Sequence, residues 1–503
     1  MLASWRITRP STTRIKTPMR SRFNLGVYAL GTALVAGAWL VNSAAAATLA
    51  PLATFGGGDG WRAPGELLAG DTPGVDTLVS GQYDYLGSAA FPNTTANLER
   101  GLAYNPVTGN LILVSRSNAG NGLRILDGQT GVDEGFLNQG TGIVTGGLFT
   151  TNMAAAADDG AIYVSNLATD TDTSTFKIYR WANESAEPTV AYEGGGASSN
   201  PPTLADARLG DTLDVIGTGA STRLAAGYGA TAATGDNSFA LFTTANGTDF
   251  TGTHISVATN PPADGDFRLG LTFRDSDTVI GKQGTLAHVV DVTGSTGTLV
   301  GSFDTDGASL RPMDFAMVDG RPLLAIVEAS PDNTSPEARA RLFVYDLTDL
   351  SAPLAERKII EGSILPEGQI QEANVNGTGQ VRFGAIAGNV ATIYAMSTNN
   401  GIQAFQLTLD AGTADNADFN GDGAVDGNDF LIWQSKFGAT GTTQPNGDAN
   451  GDGDVTAADL DVWKTQFGAA PSGSAIAAVP EPAAGLLLAS AAAGLWGRRR
   501  RGR

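Results

Sequence analysis

The sequence predicts an all-β body, a six- or seven-bladed β-propeller, followed by a small all-α module made of a duplicated loop and helix. Two observations support this prediction. Short apolar strands separated by turn residues recur through residues 48–411. Near the C-terminus, two acidic loops of the same design lie 30 residues apart, and a short helix with one apolar face follows each of them.

The recurring units of the body begin roughly 45–70 residues apart, which is close to the period of propeller blades. Each unit combines an inner strand, a turn and outer strands such as AIYVS and FKIYRW. The stretch 48–98 is expected to close the ring, and a pair of β-sandwiches is the alternative architecture. The six units that the pattern shows are 101–127, 153–181, 209–243, 269–303, 313–347 and 383–407.

Three segments of the body carry a resemblance. They read ERGLAYNPVTGNLILVSR, ADDGAIYVSNLATD and FKIYRW. Together they resemble a bacterial family of secreted, propeller-like domains of unknown function, over about residues 95–405. The resemblance implies a fold and supplies no activity.

The body shows no recognisable catalytic motif. It contains two histidines, His254 and His288, and neither a G-x-S-x-G nor an S-x-D-x-G-x-x-W pattern. Acidic residues could line a central channel, although turns and surfaces are the commoner places for them. A polysaccharide lyase or glycoside hydrolase that uses such carboxylates is therefore the alternative to a binding role. The acidic candidates are Asp158, Asp159, Asp170, Asp172 and Glu328.

Arg100, Arg116 and Arg180 flank strands in a chain that is poor in basic residues. Such arginines usually form salt bridges between blades. The alternative is that they point into an axial pocket and bind an anionic sugar.

The first acidic loop, residues 418–429, reads DFNGDGAVDGND. A calcium loop supplies oxygen ligands from positions 1, 3, 5, 7, 9 and 12 and has Gly at position 6. Both loops fit this grid, and position 7 contributes a backbone carbonyl. A single NGDG could be a hairpin turn, but two copies in register predict two calcium ions. The predicted ligands are Asp418, Asn420, Asp422, Ala424, Asp426 and Asp429 in the first loop, and Asp448, Asn450, Asp452, Asp454, Thr456 and Asp459 in the second.

Each loop precedes a helix with an apolar stripe, and the two stripes are expected to pack together. The stripes consist of Phe430, Trp433 and Phe437, and of Leu460, Trp463 and Phe467. Gly438 and Gly468 then mark the helix ends.

This order of loop and helix, with Asp at position 12, resembles the type I dockerin domain over residues 416–468. In particular, ADFNGDGAVDGNDFLIWQSKFG is similar to the dockerin-like modules of secreted planctomycete-type proteins. The resemblance implies a cohesin-like partner. However, positions 10 and 11 are Gly427-Asn428 and Ala457-Ala458, not the Ser-Thr pair that cellulosomal dockerins often use. An intramolecular partner is the alternative.

The chain ends indicate export. Basic residues, an apolar run from Leu25 to Val41 and the small residues of NSAAAATLA predict a signal peptide over 1–47. At the other end, VPEP, an apolar stretch and a terminal arginine cluster resemble the PEP-CTERM sorting signal. This resemblance implies a transient membrane anchor, processing by an exosortase-type protease, and delivery to the cell surface or extracellular matrix.

The chain has no cysteine, which excludes disulfides and thiol catalysis, and its formal net charge of −20 disfavours nucleic acid as a partner. The sequence thus predicts an exported, surface-sorted, non-catalytic binding or scaffolding protein with a polysaccharide or protein ligand. A structural matrix component is a further alternative. The expected parts are the signal peptide 1–47, the body 48–411, the calcium module 412–470, and the linker and sorting tail 471–503.

Overall fold

A computed structural model of the chain describes most of the body and the C-terminal module. The predicted sorting tail, the ligand Asp452 and the predicted signal peptide, except for its last residue, lie outside the described residues. Among the helices that are described, none has the length and apolar character needed to cross a membrane. The described residues are 47–71, 97–116, 122–194, 204, 207–230, 238–257, 267–282, 284–307, 310–329, 340–409, 416–451 and 453–468.

The described body is built almost entirely of β-strands. The strands up to the middle of the chain are β1 (Ala47–Pro51), β2 (Trp61–Arg62), β3 (Glu99–Tyr104), β4 (Asn110–Ser115), β5 (Leu123–Asp127), β6 (Asp133–Phe136), β7 (Phe149–Ala156), β8 (Ile162–Leu167), β9 (Phe176–Trp181), β10 (Thr189–Gly194), β11 (Ala207–Arg208), β12 (Asp214–Ile216), β13 (Arg223–Gly227) and β14 (Gly229–Ala230). They continue with β15 (Phe239–Thr244), β16 (Phe250–Val257), β17 (Leu271–Asp275), β18 (Thr278–Lys282), β19 (Leu286–Thr293), β20 (Thr296–Asp304), β21 (Leu310–Val318), β22 (Arg321–Glu328), β23 (Arg341–Asp346), β24 (Lys358–Ser363), β25 (Gly379–Ala387), β26 (Val390–Ser397) and β27 (Ile402–Leu409).

These strands form six four-stranded antiparallel blades. From the inner to the outer strand, the blades are β3-β4-β5-β6, β7-β8-β9-β10, β12-β13-β15-β16, β17-β18-β19-β20, β21-β22-β23-β24 and β25-β26-β27-β1. The third and fourth blades are joined at their outer strands, because β16 pairs in parallel with β20. The inner strands contact one another in chain order, and β25 contacts β3, so the ring is closed. The prediction of an all-β propeller is confirmed, with six blades among the described residues.

The N-terminal strand closes the ring. β1 pairs with β27 from Ala47↔Leu409 to Pro51↔Phe405, so the first strand of the body is the outermost strand of the last blade. β2 also pairs with β27. The expectation that this part of the chain closes the ring therefore holds for β1 and β2, while residues 72–96 lie outside the description.

Six apolar clusters hold the blades face to face, one between each pair of neighbours. Second strands such as β8 (IYVSNL) are buried along their full length, which explains why they are mostly apolar. Since each blade packs on both of its faces, the arrangement differs from a pair of sandwiches.

The C-terminal module consists of two helices, each after one acidic loop. Besides a short body helix α1 (Leu354–Arg357), the described α-helices are α2 (Gly427–Lys436) and α3 (Ala457–Gln466). Gly438 and Gly468 follow them with φ of +83° and +77°, as predicted for helix ends. The predicted packing of the stripes is only partly correct: Trp433 is buried, but Phe437 and Phe467 are 59% and 55% exposed. The core instead includes side chains of the loops, namely Ala417, Phe419, Ala449 and Val455.

Candidate calcium loops and the axial ion cluster

The polar side chains of the first loop accept hydrogen bonds from the backbone of the same loop. The two carboxylate oxygens of Asp418 accept from the backbone N–H of Asp422 and Gly423 at 3.1 and 2.8 Å. Asn420 Oδ1 accepts from Asp422 N at 2.8 Å, and Asp422 Oδ1 from Ala424 N at 2.9 Å. Gly423 has a φ of +88°, a backbone conformation that residues with a side chain rarely adopt. Positions 1, 3 and 5 therefore meet on one tight turn of backbone.

Position 12 fastens the two ends of this loop together. Asp429 is fully buried; its oxygens accept from Asn420 N at 3.1 Å and from Asp426 N at 2.9 Å. Asp426, at position 9, caps α2 by accepting from Asn428 N at 2.7 Å. The same aspartates therefore serve as predicted ligands and as the start of the helix.

The second loop repeats this arrangement. Asp459 is fully buried and accepts from Ala449 N at 2.7 Å and Thr456 N at 2.7 Å. Asp448 Oδ2 accepts from Gly453 N at 3.0 Å, and Thr456 caps α3 through Ala458 N at 3.1 Å. Asp454 lies opposite Thr440 in an isolated bridge.

The donor set of the loops fits a hard divalent cation. Residues 416–468 contain nine aspartates and two lysines. Within the described part of the module, the ion pair present is Lys464–Asp461, on the exposed face of α3, and none reaches the buried Asp429 or Asp459. Carboxylate, amide and carbonyl oxygens are the ligands that calcium takes. In the parts that the structure describes, no three His, Cys, Asp or Glu side chains cluster as a metal site. Besides the aspartates, the predicted calcium ligands include the side chains of Asn420, Asn450 and Thr456 and two backbone carbonyls.

The two loop–helix units brace each other reciprocally. Trp433 Nε1 on α2 donates to Thr456 O in the second loop at 2.8 Å, and Trp463 Nε1 on α3 donates to Asp426 O in the first loop at 2.9 Å. Both acceptors occupy loop position 9. The 30-residue offset of the tryptophans, equal to the offset of the loops, was the signal in the sequence for this exchange.

A buried ion cluster of Arg382, Asp214 and Asp314, here called the axial ion cluster, joins the blades at the centre of the ring. Arg382 Nη1 on β25 contacts Asp214 Oδ1 at 2.8 Å and Asp314 Oδ1 at 3.1 Å. Its other nitrogens donate to Leu102 O at 3.1 Å and Ala154 O at 3.2 Å. Asp214 Oδ2 in turn accepts from Phe273 N at 2.8 Å. The inner strands of all six blades are therefore connected through three side chains.

The axial ion cluster is a structural arrangement of charge. Burial raises the pKa of Asp314 to about 7; Arg382 opposes this shift and the neighbouring Asp214 adds to it. Phe383 N also donates to Asp314 at 2.6 Å. Sequence reasoning missed these residues, although Asp214 and Arg382 are the single charges of their inner strands and Asp314 shares β21 only with Arg311.

The acidic residues that were considered for a channel have local roles. From the turn between β7 and β8, Asp158 and Asp159 accept from Gly217 N and Gly219 N of the next blade at 3.1 and 3.0 Å. Asp158 also lines a cavity together with the axial ion cluster. Asp170 accepts from the backbone N–H of Asp172 at 2.9 Å, and Glu328 lies 3.6 Å from Arg341 Nε.

The two histidines also have structural contacts. His254 stacks on Tyr228 with the ring centroids 4.2 Å apart. His288 Nδ1 lies 2.7 Å from Ser302 Oγ.

Two family models match the chain. The model of a domain of unknown function, DUF4623, matches residues 74–348, and that of the dockerin type I domain matches residues 416–468. Type I dockerin domains bind calcium, typically bind cohesin partners and occur in extracellular or cell-surface proteins. None of the curated proteins matches the chain.

Several solved structures are similar to the body. A DUF4623 family protein from Bacteroides eggerthii is 17% identical with a TM-score of 0.48, over 68% of this chain and 77% of that one. A lectin from Aleuria aurantia is 10% identical with a TM-score of 0.38, over 63% and 93%. An alpha-L-arabinanase from Penicillium chrysogenum is 9% identical with a TM-score of 0.37, over 63% and 96%. At these scores the similarities carry no argument about activity.

Proposed function

Since the chain belongs to the DUF4623 family and ends in a type I dockerin domain, we propose that it is an exported, non-catalytic binding or scaffolding protein. Its propeller body holds a polysaccharide or protein ligand outside the cell, and its module connects the body to an assembly. The parts are the signal peptide 1–47, the body 48–411, the module 412–470 and a PEP-CTERM-like tail 471–503 that an exosortase-type protease processes.

Two calcium ions stabilise the module in this proposal. The observation that carries it is the pair of fully buried carboxylates, Asp429 and Asp459, each at position 12 of an oxygen-rich loop. A core of five buried apolar side chains is small for an independent fold, so ion binding would supply much of the folding free energy. The first ion would be held by Asp418, Asn420, Asp422, Ala424, Asp426 and Asp429, and the second by Asp448, Asn450, Asp452, Asp454, Thr456 and Asp459.

The partner of the module would contact apolar side chains that α2 and α3 leave exposed. Leu431 is 59% exposed, and Phe437 and Phe467 are similarly exposed. Gly427, Asn428, Ala457 and Ala458 at loop positions 10 and 11 lack the hydroxyls of a Ser-Thr pair. The module would then bind through apolar contacts and not through hydroxyl hydrogen bonds. Its partner would be a cohesin-like protein whose binding surface differs from that of the cellulosomal cohesins, or a part of the same chain.

The non-catalytic assignment is supported by the axial ion cluster. Asp214 and Asp314 accept hydrogen bonds from Arg382 and from backbone N–H groups of neighbouring blades. A carboxylate that donates or accepts a proton in catalysis needs a position open to the substrate. Asp214 and Asp314 border a cavity of about 220 Å³, but each of their oxygens already accepts a hydrogen bond from Arg382, from Thr272 or from the backbone, and these bonds hold the ring together.

Calcium titration of the full chain, after chelator treatment, tests the proposal. We expect two calcium ions per chain by calorimetry, one for Asp429→Asn or Asp459→Asn, and none for the double variant. Helix content by circular dichroism should rise on calcium addition in the parent chain only. Asp461→Asn is the matched control, because this aspartate lies on the exposed face of α3 outside the loops. Two ions bound by the double variant would overturn the assignment.

A further inference from the structure

A cationic pocket lies at the end of the ring where the inner strands begin. Its cavity has a volume of about 290 Å³. Four arginines line it, namely Arg100, Arg116, Arg208 and Arg268, and we call this site the cationic pocket. Among the described residues that line the cavity, Asp211 is the only acid. The site therefore carries several positive charges in a chain whose formal net charge is −20.

Asp211 compensates only part of this charge. Its carboxylate accepts a hydrogen bond from Arg208 Nη2 at 2.9 Å and lies 3.7 Å from Arg268 Nη1. In the described parts of the chain, Arg100 and Arg116 have no ion pair. Arg100 is 4% exposed and donates from Nη1 to Thr378 Oγ1 at 2.6 Å, while its Nε is buried without a hydrogen-bond partner among the described residues. Among the described residues, the buried Arg100 and the partly buried Arg116 thus have no carboxylate within salt-bridge distance, although Asp211 acts on both from farther away.

The electrostatic consequence appears in Arg116. Burial, together with the charges of Arg100 and Arg208, lowers its pKa to about 9, although Asp211 opposes the shift. The pKa of the neighbouring Arg311 is lowered as well, by burial and by Arg268. Burial and, to a smaller extent, repulsion between the arginines disfavour the charged guanidinium, and an anion bound between them would stabilise the charged form.

The arginines elsewhere in the body contrast with this site. Each of the following has a carboxylate within salt-bridge distance: Arg62 with Asp71, Arg124 with Asp133, Arg223 with Asp277, Arg321 with Asp346, and Arg382 with Asp214. Arg100 and Arg116 of the cationic pocket differ from these five arginines, whereas Arg208 and Arg268 share the single carboxylate of Asp211.

The rest of the lining suits a ligand with hydroxyl groups and a compact carbon ring. The exposed Asn376 offers an amide group that can pair with hydroxyls, while the buried Asn152 and Thr378 accept hydrogen bonds from Arg116 and Arg100. Phe149 and Leu148 are 38% and 60% exposed and supply apolar contact at the rim. Phe149 is held in place by Arg116, whose Cζ lies 3.4 Å from the ring centroid.

We propose that the cationic pocket binds an acidic sugar unit, one that carries a carboxylate or a sulfate group. The guanidinium forks of Arg100 and Arg116 receive the anionic group, as arginine does for planar oxyanions. The polar and apolar rim receives the hydroxylated ring. This inference gives a ligand class to the binding role proposed for the body and rests on that role, but it does not depend on calcium in the module.

Binding of simple probes to the full chain tests it. We expect calorimetry to detect glucuronate and glucose 6-sulfate at millimolar concentrations, with affinity falling as salt is added, and to detect no binding of glucose. Arg116→Gln should weaken binding about tenfold or more, because it removes a charge-assisted contact. Arg268→Gln should weaken binding as well, because it removes a positive charge from the lining. Asp211→Asn should strengthen it, because it removes the only acid of the lining. Arg223→Gln, in a paired arginine outside this pocket, is the control and should change nothing.

The opposite signs expected for Asp211→Asn and the arginine variants separate a site effect from unfolding, since a misfolded variant could only lose binding. Binding of inorganic sulfate as tightly as of either sugar acid would overturn the sugar assignment. No binding of any anion would overturn the pocket as a site. Calcium titration of the same sample keeps the two proposals apart, because two bound calcium ions without anion binding would reject this inference alone.

Discussion

The propeller body and the C-terminal module both bury charge, but they neutralise it differently. In the body, Arg382 sits between Asp214 and Asp314, so the chain supplies its own counter-charge. In the module, no described ion pair reaches the buried Asp429 and Asp459. Six apolar clusters hold the body, whereas one small cluster holds the module. The large core of the body brings oppositely charged residues together from distant strands, whereas the counter-charge that we propose for the module is calcium from solution.

The largest effect expected within this comparison is on the body. Arg382→Met leaves Asp214 and Asp314 buried without their cation and should lower the free energy of unfolding by about 3–5 kcal/mol. Denaturant unfolding of the full chain measures it. Arg321→Met, which breaks a partly exposed pair with Asp346, should cost less than about 1 kcal/mol. Equal losses for the two variants would contradict a special role for the axial ion cluster. Calcium stoichiometry should be unchanged in both.

A second prediction concerns a buried carboxyl group inside the body. Glu99 is fully buried, and burial raises its pKa to about 7 against the opposing hydrogen bond from Asn399 N at 3.0 Å. The folded state therefore holds this proton more tightly than the unfolded state. The resulting stability is complete below the unfolded pKa and is lost as pH rises through about 7.

Glu99→Gln should remove this fall, a difference on the order of 3 kcal/mol between pH 5 and pH 8. Unfolding free energies measured at both pH values check it. The matched control is Glu361→Gln, a half-exposed glutamate of β24 paired with Lys358, which should leave the slope unchanged. An unaltered slope in Glu99→Gln would show that this carboxyl does not titrate as its burial requires.

The smallest effect tests the reciprocal braces of the module. Trp433→Phe removes the indole donor to Thr456 O and should weaken calcium binding at the second loop by about 1 kcal/mol, roughly fivefold. Titrating this change in an Asp429→Asn background isolates the second site. Trp463→Phe in an Asp459→Asn background should weaken the first site equally, because its donor reaches Asp426 O. If each tryptophan affected the loop of its own helix instead, the bracing would not couple the sites.

The sequence was sufficient where one short segment fixes its own structure. The period of the apolar strands predicted the propeller, and the acidic grid predicted a module whose span agrees with the dockerin match at 416–468. Gly438 and Gly468 were correctly placed after the helices, because a helix end often requires a residue with positive φ and glycine adopts it most easily. The stripes were less successful: Phe437 and Phe467 are exposed, since residues of the loops fill much of the core.

Of the three arginines singled out in the sequence, the structure brings Arg100 and Arg116 to one cavity and leaves Arg180 on β9, beside Tyr163. Arg208 and Arg268, which complete the cationic pocket, carried no signal of their own in the sequence. Their position depends on which inner strands meet around the axis, and that order is not encoded in any single unit.

By itself, the sequence determined the strand period, the two acidic loops and the helices behind them, because these depend on residues close together in the chain. Only the tertiary structure decided that β1 completes the last blade, that the axial ion cluster connects six inner strands and that arginines from different blades face one cavity. Those outcomes depend on closing a ring, which brings side chains together across hundreds of residues, and local chemistry does not specify that geometry.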